Sequence, residues 1–197
     1  MAEHADPLAV REPDHPIEPL FLKRVSWRAL TPDVTEAELK QCLEAARWTC
    51  STYNEQEWRF LYALHGTPAF DTFFGLLDEG NQAWCDTAGA LLLVASTTTM
   101  SRNGNPNPVH QYDAGAAAFA FGLQATALGL TAHQMVGFNN SRARTELSLP
   151  DGVEPHAMIA LGKAGDPSKL PEDYQKIEKP SDRKPLAEIS CEGGWSL

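Results

Sequence analysis

Apolar and polar positions follow two different periods along this chain, and together they predict a mixture of helices and strands. Apolar side chains recur at helical spacing over residues 35–48, where Thr35 and Glu38 have the spacing of a capping box. Residues 58–64 alternate in the manner of a strand. Residues 91–95 are continuously apolar, which is typical of a central strand buried on both faces.

Further signals extend this pattern toward the C-terminus. Pro68 suits the first turn of a helix whose apolar positions continue to Leu77. The asparagine pair 139–140 can cap a short helix that stops before Pro150, and residues 157–161 indicate another strand. Because helices and strands interleave without a regular βαβ repeat, we predict an α+β fold with a mostly antiparallel central sheet flanked by helices.

One predicted helix, residues 112–128, is almost free of charge and rich in alanine and glycine. A helix that is apolar on all sides has to be buried on all sides. Gly129 follows it at the position expected for a C-terminal glycine cap. A chain of 197 residues has little material to enclose such a helix, so we expect an intertwined homodimer.

The chain divides into an arm and one domain. Residues 1–19 are so dense in proline that we expect a flexible N-terminal arm without helix or sheet pairing. Residues 20–197 form the single domain, and its last part, from Pro185, is a C-terminal arm. A long polar loop occupies residues 96–110.

Charge narrows the classes of partner. Sixteen Lys and Arg residues against 26 Asp and Glu residues give a net charge of −10, which repels nucleic acid and anionic lipid. No apolar run is long enough to cross a bilayer, and the N-terminus has no apolar signal region. We therefore expect a cytoplasmic protein that binds neither nucleic acid nor membranes.

Cysteine and histidine give no metal motif, so we predict no metal site. The four cysteines include no CxxC pair and indicate reduced thiols, with a structural disulfide or a metal cage as the alternative. They are Cys42, Cys50, Cys85 and Cys191.

Two short segments carry candidate chemistry. In an extended segment Arg24, Ser26 and Arg28 point the same way, and two guanidinium groups with a hydroxyl suit a phosphate. A solvated surface run is the alternative interpretation. Residues 51–56 are rich in hydroxyl and amide groups, which can read the polar edge of a heterocycle or simply close a turn. Rossmann, Walker and GxSxG patterns are absent from the sequence.

In order and spacing, six motifs resemble the nitroreductase family of FMN-dependent oxidoreductases. They are the Arg-x-Ser-x-Arg segment, the run from Ser51 to Phe60, Asn81-Gln82-Ala83-Trp84, the Asp-x-Gly-x-Ala helix ending in Leu-Gly-Leu, a Met-x-Gly-Phe loop and a C-terminal basic pair. The resemblance spans about residues 20–195. It implies a nitroreductase-like FMN-binding domain and a homodimer with FMN at the interface.

The resemblance also implies three groups of FMN ligands. The phosphate would be held by residues near the two ends of the domain, namely Arg24, Ser26, Arg183 and Lys184. The flavin would be contacted by Arg28 near N1–C2=O, by Asn81, and by Gln134, Met135, Val136 and Gly137, the last two through backbone N–H groups near N5. A third group, commonly from the partner subunit, is Ser51, Thr52, Asn54 and Gln56. No side chain has to act as a catalytic acid or base, and Arg11 in the arm is expected to take no part.

The implied activity is NAD(P)H-dependent reduction of nitroaromatic, quinone or enone-type acceptors by ping-pong hydride transfer through flavin N5. The alternative is an FMN-binding protein of the same fold that acts as a sensor, a binder or a flavin-modifying protein without efficient NAD(P)H oxidation. We expect the 96–110 loop to border the substrate side of the flavin.

Four positions depart from the family pattern. Val25 replaces a basic or polar residue and is expected to weaken the phosphate cage slightly, and Cys50 stands where proline is usual. Glu57 also replaces a proline and would place an anion near an anionic cofactor, unless its side chain turns to solvent or pairs with Arg59. Trp84 stands where some relatives have lysine.

Overall fold

The computed structural model describes residues 3–195, which build a five-stranded antiparallel sheet with helices on both faces. Strand β5 pairs with β3 and with β4, β3 also pairs with β2, and the last residues of β5 pair with β1. The strands are β1 (Leu30–Thr31), β2 (Trp58–Leu64), β3 (Ala90–Thr97), β4 (Leu130–Met135) and β5 (Val153–Ala164). The predicted α+β fold is confirmed.

The helices begin where the local signals place them. Thr35 closes a capping box with Glu38, Thr67 accepts from the Phe70 N–H, and Asn139 accepts from the Arg142 N–H. The helices are α1 (Pro7–Val10), α2 (Pro19–Lys23), α3 (Glu36–Arg47), α4 (Pro68–Leu76), α5 (Glu79–Cys85), α6 (His110–Ala127), α7 (Asn140–Glu146) and α8 (Glu172–Ile177). No helix within residues 3–195 has the length and apolarity needed to cross a membrane.

Strand β3 divides the core into two parts, because successive side chains of a strand point to opposite faces. Leu91 and Leu93 pack with α4, α5 and α7, whereas Leu92 and Val94 pack with α3 and α6. The prediction of a central strand buried on both faces is therefore confirmed.

Helix α6 is buried on one side only. Ala114, Ala117 and Phe121 are enclosed by the sheet and α3. On the opposite side Tyr112 is 80% exposed and Phe119 is 43% exposed. A single chain therefore leaves an apolar face of this helix uncovered.

Two local expectations are wrong. Residues 1–19 contain the short helix α1 and the first residue of α2, because Pro7 and Pro19 occupy first-turn positions where a missing N–H does no harm. The Met-x-Gly-Phe loop, expected to begin at Met135, begins only at Val136, because Met135 is the last residue of β4.

Candidate functional site

The segment between α2 and β1 presents its polar side chains on one side. Arg24, Ser26 and Arg28 are half-buried and alternate with the buried residues Val25 and Trp27, as the alternation predicts. The Arg24 Nη1 donates to Ser26 Oγ at 3.2 Å. Because the Val25 side chain points into the core, its departure from the family pattern leaves the polar side of this segment unchanged.

The C-terminal arm, which in the structure begins after α8 and not at Pro185, brings a second guanidinium toward Arg24. Burial lowers the pKa of Arg24, and the positive charge of Arg183 lowers it further, so the two groups lie within electrostatic reach. Lys184 is exposed and directs its ammonium toward Glu188, at 3.7 Å. Of the predicted basic pair, Arg183 is the member that joins Arg24 in a cationic corner.

Arg28 is fixed by a buried acid that sequence reasoning missed. Glu178 Oε1 accepts from the N–H groups of Arg28 and Ala29 at 2.7 and 2.9 Å, and Oε2 lies 3.6 Å from the Arg28 guanidinium. His4 adds a contact of 3.1 Å from the N-terminal arm. Burial alone would raise the pKa of Glu178, but the hydrogen bonds from His4 and the two amides outweigh it and hold that pKa low.

His133 joins this segment to β4 and α5. Its Nδ1 lies 3.2 Å from the Trp27 carbonyl, which can only accept, so Nδ1 carries the proton. Its ring packs on Trp84, with 4.5 Å between the ring centroids. Burial is the main cause that lowers the pKa of His133 to about 4, so the ring is neutral at pH 7. Trp84 thus packs in the interior and supplies a wall for His133.

The loop after β4 lies against the N-terminal end of α5. Asn81 Nδ2 donates to the Gly137 carbonyl at 2.8 Å, and the Asp78 N–H donates to the same oxygen. A Cβ on residue 137 would lie 2.7 Å from Asn81 Nδ2, so any larger residue here would push the Asn81 amide out of its present position. Val136 is 82% exposed, and among the described residues nothing accepts a hydrogen bond from the Gly137 N–H.

The other two predicted residues of this loop point elsewhere. Gln134 Nε2 donates to the Ala118 carbonyl of α6 at 3.1 Å. Met135 is buried, with its sulfur 3.6 Å from Cys85 Sγ. The structure therefore directs the Met135 side chain into the core and leaves its backbone as the part that faces the loop.

The 51–56 segment is held in an unusual backbone conformation. Tyr53, Asn54 and Gln56 have φ values of 52, 59 and 52°. Non-glycine residues rarely adopt such values, and those that do are often found at functional sites. The Thr52 N–H donates to Asp113 Oδ2 at 2.8 Å, and Ser51 Oγ accepts from the Gln56 N–H. Within residues 3–195, none of the hydrogen bonds or ion pairs of this segment reaches the cationic corner or Asn81. The contacts of this segment are instead to α6 and to the loop after β3.

Glu57 neither turns to solvent nor pairs with Arg59. It is 2% exposed, its Oε1 accepts from Asn107 Nδ2 at 2.6 Å, and Arg59 donates to backbone carbonyls instead. Burial raises the pKa of Glu57, and the negative charge of Asp113 raises it further. Glu57, which stands where proline is usual in the family, is therefore a buried acid and not a solvent-facing anion.

A second polar cluster that sequence reasoning missed joins β3, β5 and the start of α6. Ser96 Oγ lies 2.8 Å from His110 Nδ1 and 2.6 Å from His156 Nε2, while His110 Nε2 lies 3.5 Å from Glu154. This Ser–His–Glu arrangement resembles a catalytic triad, but Ser96 cannot act as a nucleophile. Ser96 is fully buried, and both histidine rings hydrogen-bond to its hydroxyl. The cluster anchors the first turn of α6.

Comparison with known proteins gives consistent relationships. A model of the nitroreductase family matches residues 22–163. An uncharacterized 15.4 kDa protein of Mycolicibacterium smegmatis is 35% identical over 130 residues, which are 64% of this chain and 84% of that protein.

Solved structures extend the similarity over nearly the whole chain. The crystal structure of an oxidoreductase containing FMN is 39% identical, with a TM-score of 0.91, and the match covers 94% of this chain and 96% of that one. A nitroreductase-like protein of Desulfovibrio desulfuricans in complex with FMN is 27% identical, with a TM-score of 0.70 and coverage of 90% and 96%.

Proposed function

Because the chain belongs to the nitroreductase family, we propose that it binds FMN and uses NAD(P)H to reduce nitroaromatic, quinone or enone-type acceptors. The observation that carries the proposal is the cationic corner of Arg24, Ser26 and Arg183 in a chain whose net charge is −10. FMN, when bound, supplies the hydride chemistry, and the protein supplies binding and orientation.

The residues of the corner suit a phosphate. Guanidinium groups donate paired hydrogen bonds to phosphate oxygens, and a dianion would relieve the repulsion between Arg24 and Arg183. At the start of α5, Asn81 and the Gly137 N–H would offer polar contacts for a heterocycle. Arg28 would supply a fixed positive charge near the flavin, since Glu178 holds its backbone and guanidinium in place.

We propose further that the working unit is a homodimer. The 51–56 segment would then reach the FMN of the partner subunit, which agrees with its lack of hydrogen bonds to the cationic corner within one chain. The uncovered apolar face of α6 supports this arrangement.

The test is the cofactor content of the purified protein. We expect a yellow protein with about one FMN per chain, bleached by NADH or NADPH and reoxidised by a quinone. Arg24→Ala should weaken FMN binding about tenfold or more, because a hydrogen bond to a charged group contributes about 1.5–3 kcal/mol. Arg47→Ala is the matched control, since Arg47 is an exposed arginine of α3 that pairs with Glu44.

The outcomes separate the candidate functions. A colourless protein whose FMN affinity is undetectable would refute the cofactor assignment. A yellow protein that oxidises neither NADH nor NADPH in the presence of a quinone would instead act as a sensor, a binder or a flavin-modifying protein.

A further inference from the structure

The N-terminal arm is attached to the cationic corner through Arg11. Arg11 Nη1 donates to the carbonyls of Leu22 and Arg24 at 2.6 and 2.9 Å, and Nε donates to the Ser181 carbonyl at 3.1 Å. One guanidinium thus joins the arm, the start of the Arg24 segment and the C-terminal arm. Arg11, expected to take no part in the site, therefore contacts the backbone of the Arg24 segment directly.

The remaining nitrogen of this guanidinium has no partner. Arg11 Nη2 is buried and makes no hydrogen bond among the described residues. Arg11 and Arg183 also line a cavity of about 540 Å³ between the two arms. A purely structural clasp would be complete with Nε and Nη1, and it would not explain a third, buried donor.

The charges around Arg11 point to a missing anion. Burial lowers the pKa of Arg11, and the positive charges of Arg183 and Arg24 lower it further. Asp182 acts in the opposite direction but more weakly, and Asp14 is engaged by the Leu186 N–H. Three guanidinium groups therefore converge where the protein supplies little compensating negative charge.

We propose that Arg11 is a further ligand of the FMN phosphate and that the N-terminal arm is part of the cofactor site. This inference rests on the proposed function. Arg11 Nη2 would donate to a phosphate oxygen, while Nη1 and Nε keep the corner assembled. The phosphate would then be enclosed by residues from both arms as well as from the Arg24 segment.

The test compares FMN with riboflavin, which lacks the phosphate, by fluorescence titration of the full-length apoprotein. We expect Arg11→Gln to raise the Kd for FMN about tenfold or more and to leave the Kd for riboflavin within about twofold. Arg24→Gln serves as the positive control and Arg47→Gln as the neutral one. Should Arg11→Gln fail to fold, Arg11→Lys keeps the positive charge but not the forked guanidinium and allows the same comparison.

Each result decides the matter. Equal losses for FMN and riboflavin would make Arg11 a structural clasp and overturn the inference. An unchanged FMN affinity in Arg11→Gln, with a loss in Arg24→Gln, would also overturn it while the proposed FMN site stands. A wild-type protein that binds no FMN would refute the proposed function, and this inference would fall with it.

Discussion

Glu57 illustrates how a single residue can change the protonation of a buried region. Its carboxyl group is enclosed, with Asn107 on one oxygen and no partner for Oε2. Asp113 lies beside it and already accepts from the Thr52 N–H. Burial and the nearby negative charge of Asp113 both disfavour a charged Glu57 and raise its pKa.

This arrangement predicts a stability that falls with rising pH. A raised pKa means that the folded protein binds the proton more tightly than the unfolded chain, whose glutamate pKa is near 4.5. The contribution is therefore fully present below pH 4.5 and is lost as the pH rises through the folded pKa. Glu57→Gln keeps the shape and carries no charge, so it should melt ~2–4 °C above the wild type at pH 8.

Thermal melts from pH 4.5 to pH 8.5 check this prediction. The advantage of Glu57→Gln should shrink toward the acid end of the series. Glu36→Gln, which changes an exposed carboxyl group of α3, should follow the wild type throughout. If the curve of Glu57→Gln ran parallel to that of the wild type, Glu57 would be ionised in the folded protein.

At the scale of elements, the sequence predicted those helices and strands whose position is determined by residues close together in the chain. The capping box at Thr35, the alternation of β2 and the apolar run of β3 act within a few residues, and each element lies where it was predicted. Strands β1 and β4 were missed because they exist through pairing with β5, whose paired residues lie 23 or more positions away in the sequence.

The residues of the candidate site also fall into those that local sequence signals predict and those that depend on distant contacts. Arg24 and Ser26 could be predicted to share a side, because alternation in an extended segment is local. The anchoring of Arg28 by Glu178 spans 150 residues, and a lone acid in a polar, proline-rich tail has no pattern that distinguishes it. Burial of Glu57 likewise depends on Asn107, which lies 50 residues later.

The connection from residue 98 to residue 109 is attached to the 51–57 segment at several points. Glu55 accepts from the N–H and hydroxyl of Ser101, and the Arg102 guanidinium lies 3.7 Å from the centre of the Tyr53 ring. If the 51–56 segment contacts the flavin of the partner subunit, the connection from residue 98 to residue 109 will lie close to the same flavin. That geometry supports the expectation that the loop borders the substrate side, which stays a prediction.

Shortening the exposed tip of the loop tests its role. Replacing residues 103–105 by two glycines should change the ratio of kcat/KM for a bulky and a small quinone about threefold or more, because the cover of the flavin changes. The FMN content should stay the same, since Asn107 and Ser101 are kept. A ratio within about twofold of the parent value would make the loop a plain connection.

At the scale of the whole molecule, helix α6 leaves an apolar face exposed that a single chain does not cover. Tyr112 and Phe119 lie seven residues apart on one face of the helix, with Gly115 and Ala116 between them. Small residues between two aromatic rings allow a second helix to approach closely. Phe119 also contacts Phe21 of α2, so the apolar face continues onto the neighbouring helix.

These features lead to the prediction that Phe119→Glu separates the homodimer and releases FMN. Obligate interfaces bury ~2,000–5,000 Å² or more of largely apolar surface, so a carboxylate at the centre of one disfavours association. Light scattering should report a monomer, and FMN affinity should fall about tenfold or more because the partner no longer supplies its 51–56 segment. Ala69→Glu adds the same charge to an exposed position of α4, across the sheet, and should remain a yellow dimer. A Phe119→Glu protein that stays dimeric, or a monomer that retains FMN, would place the interface elsewhere or assign the whole cofactor site to one chain.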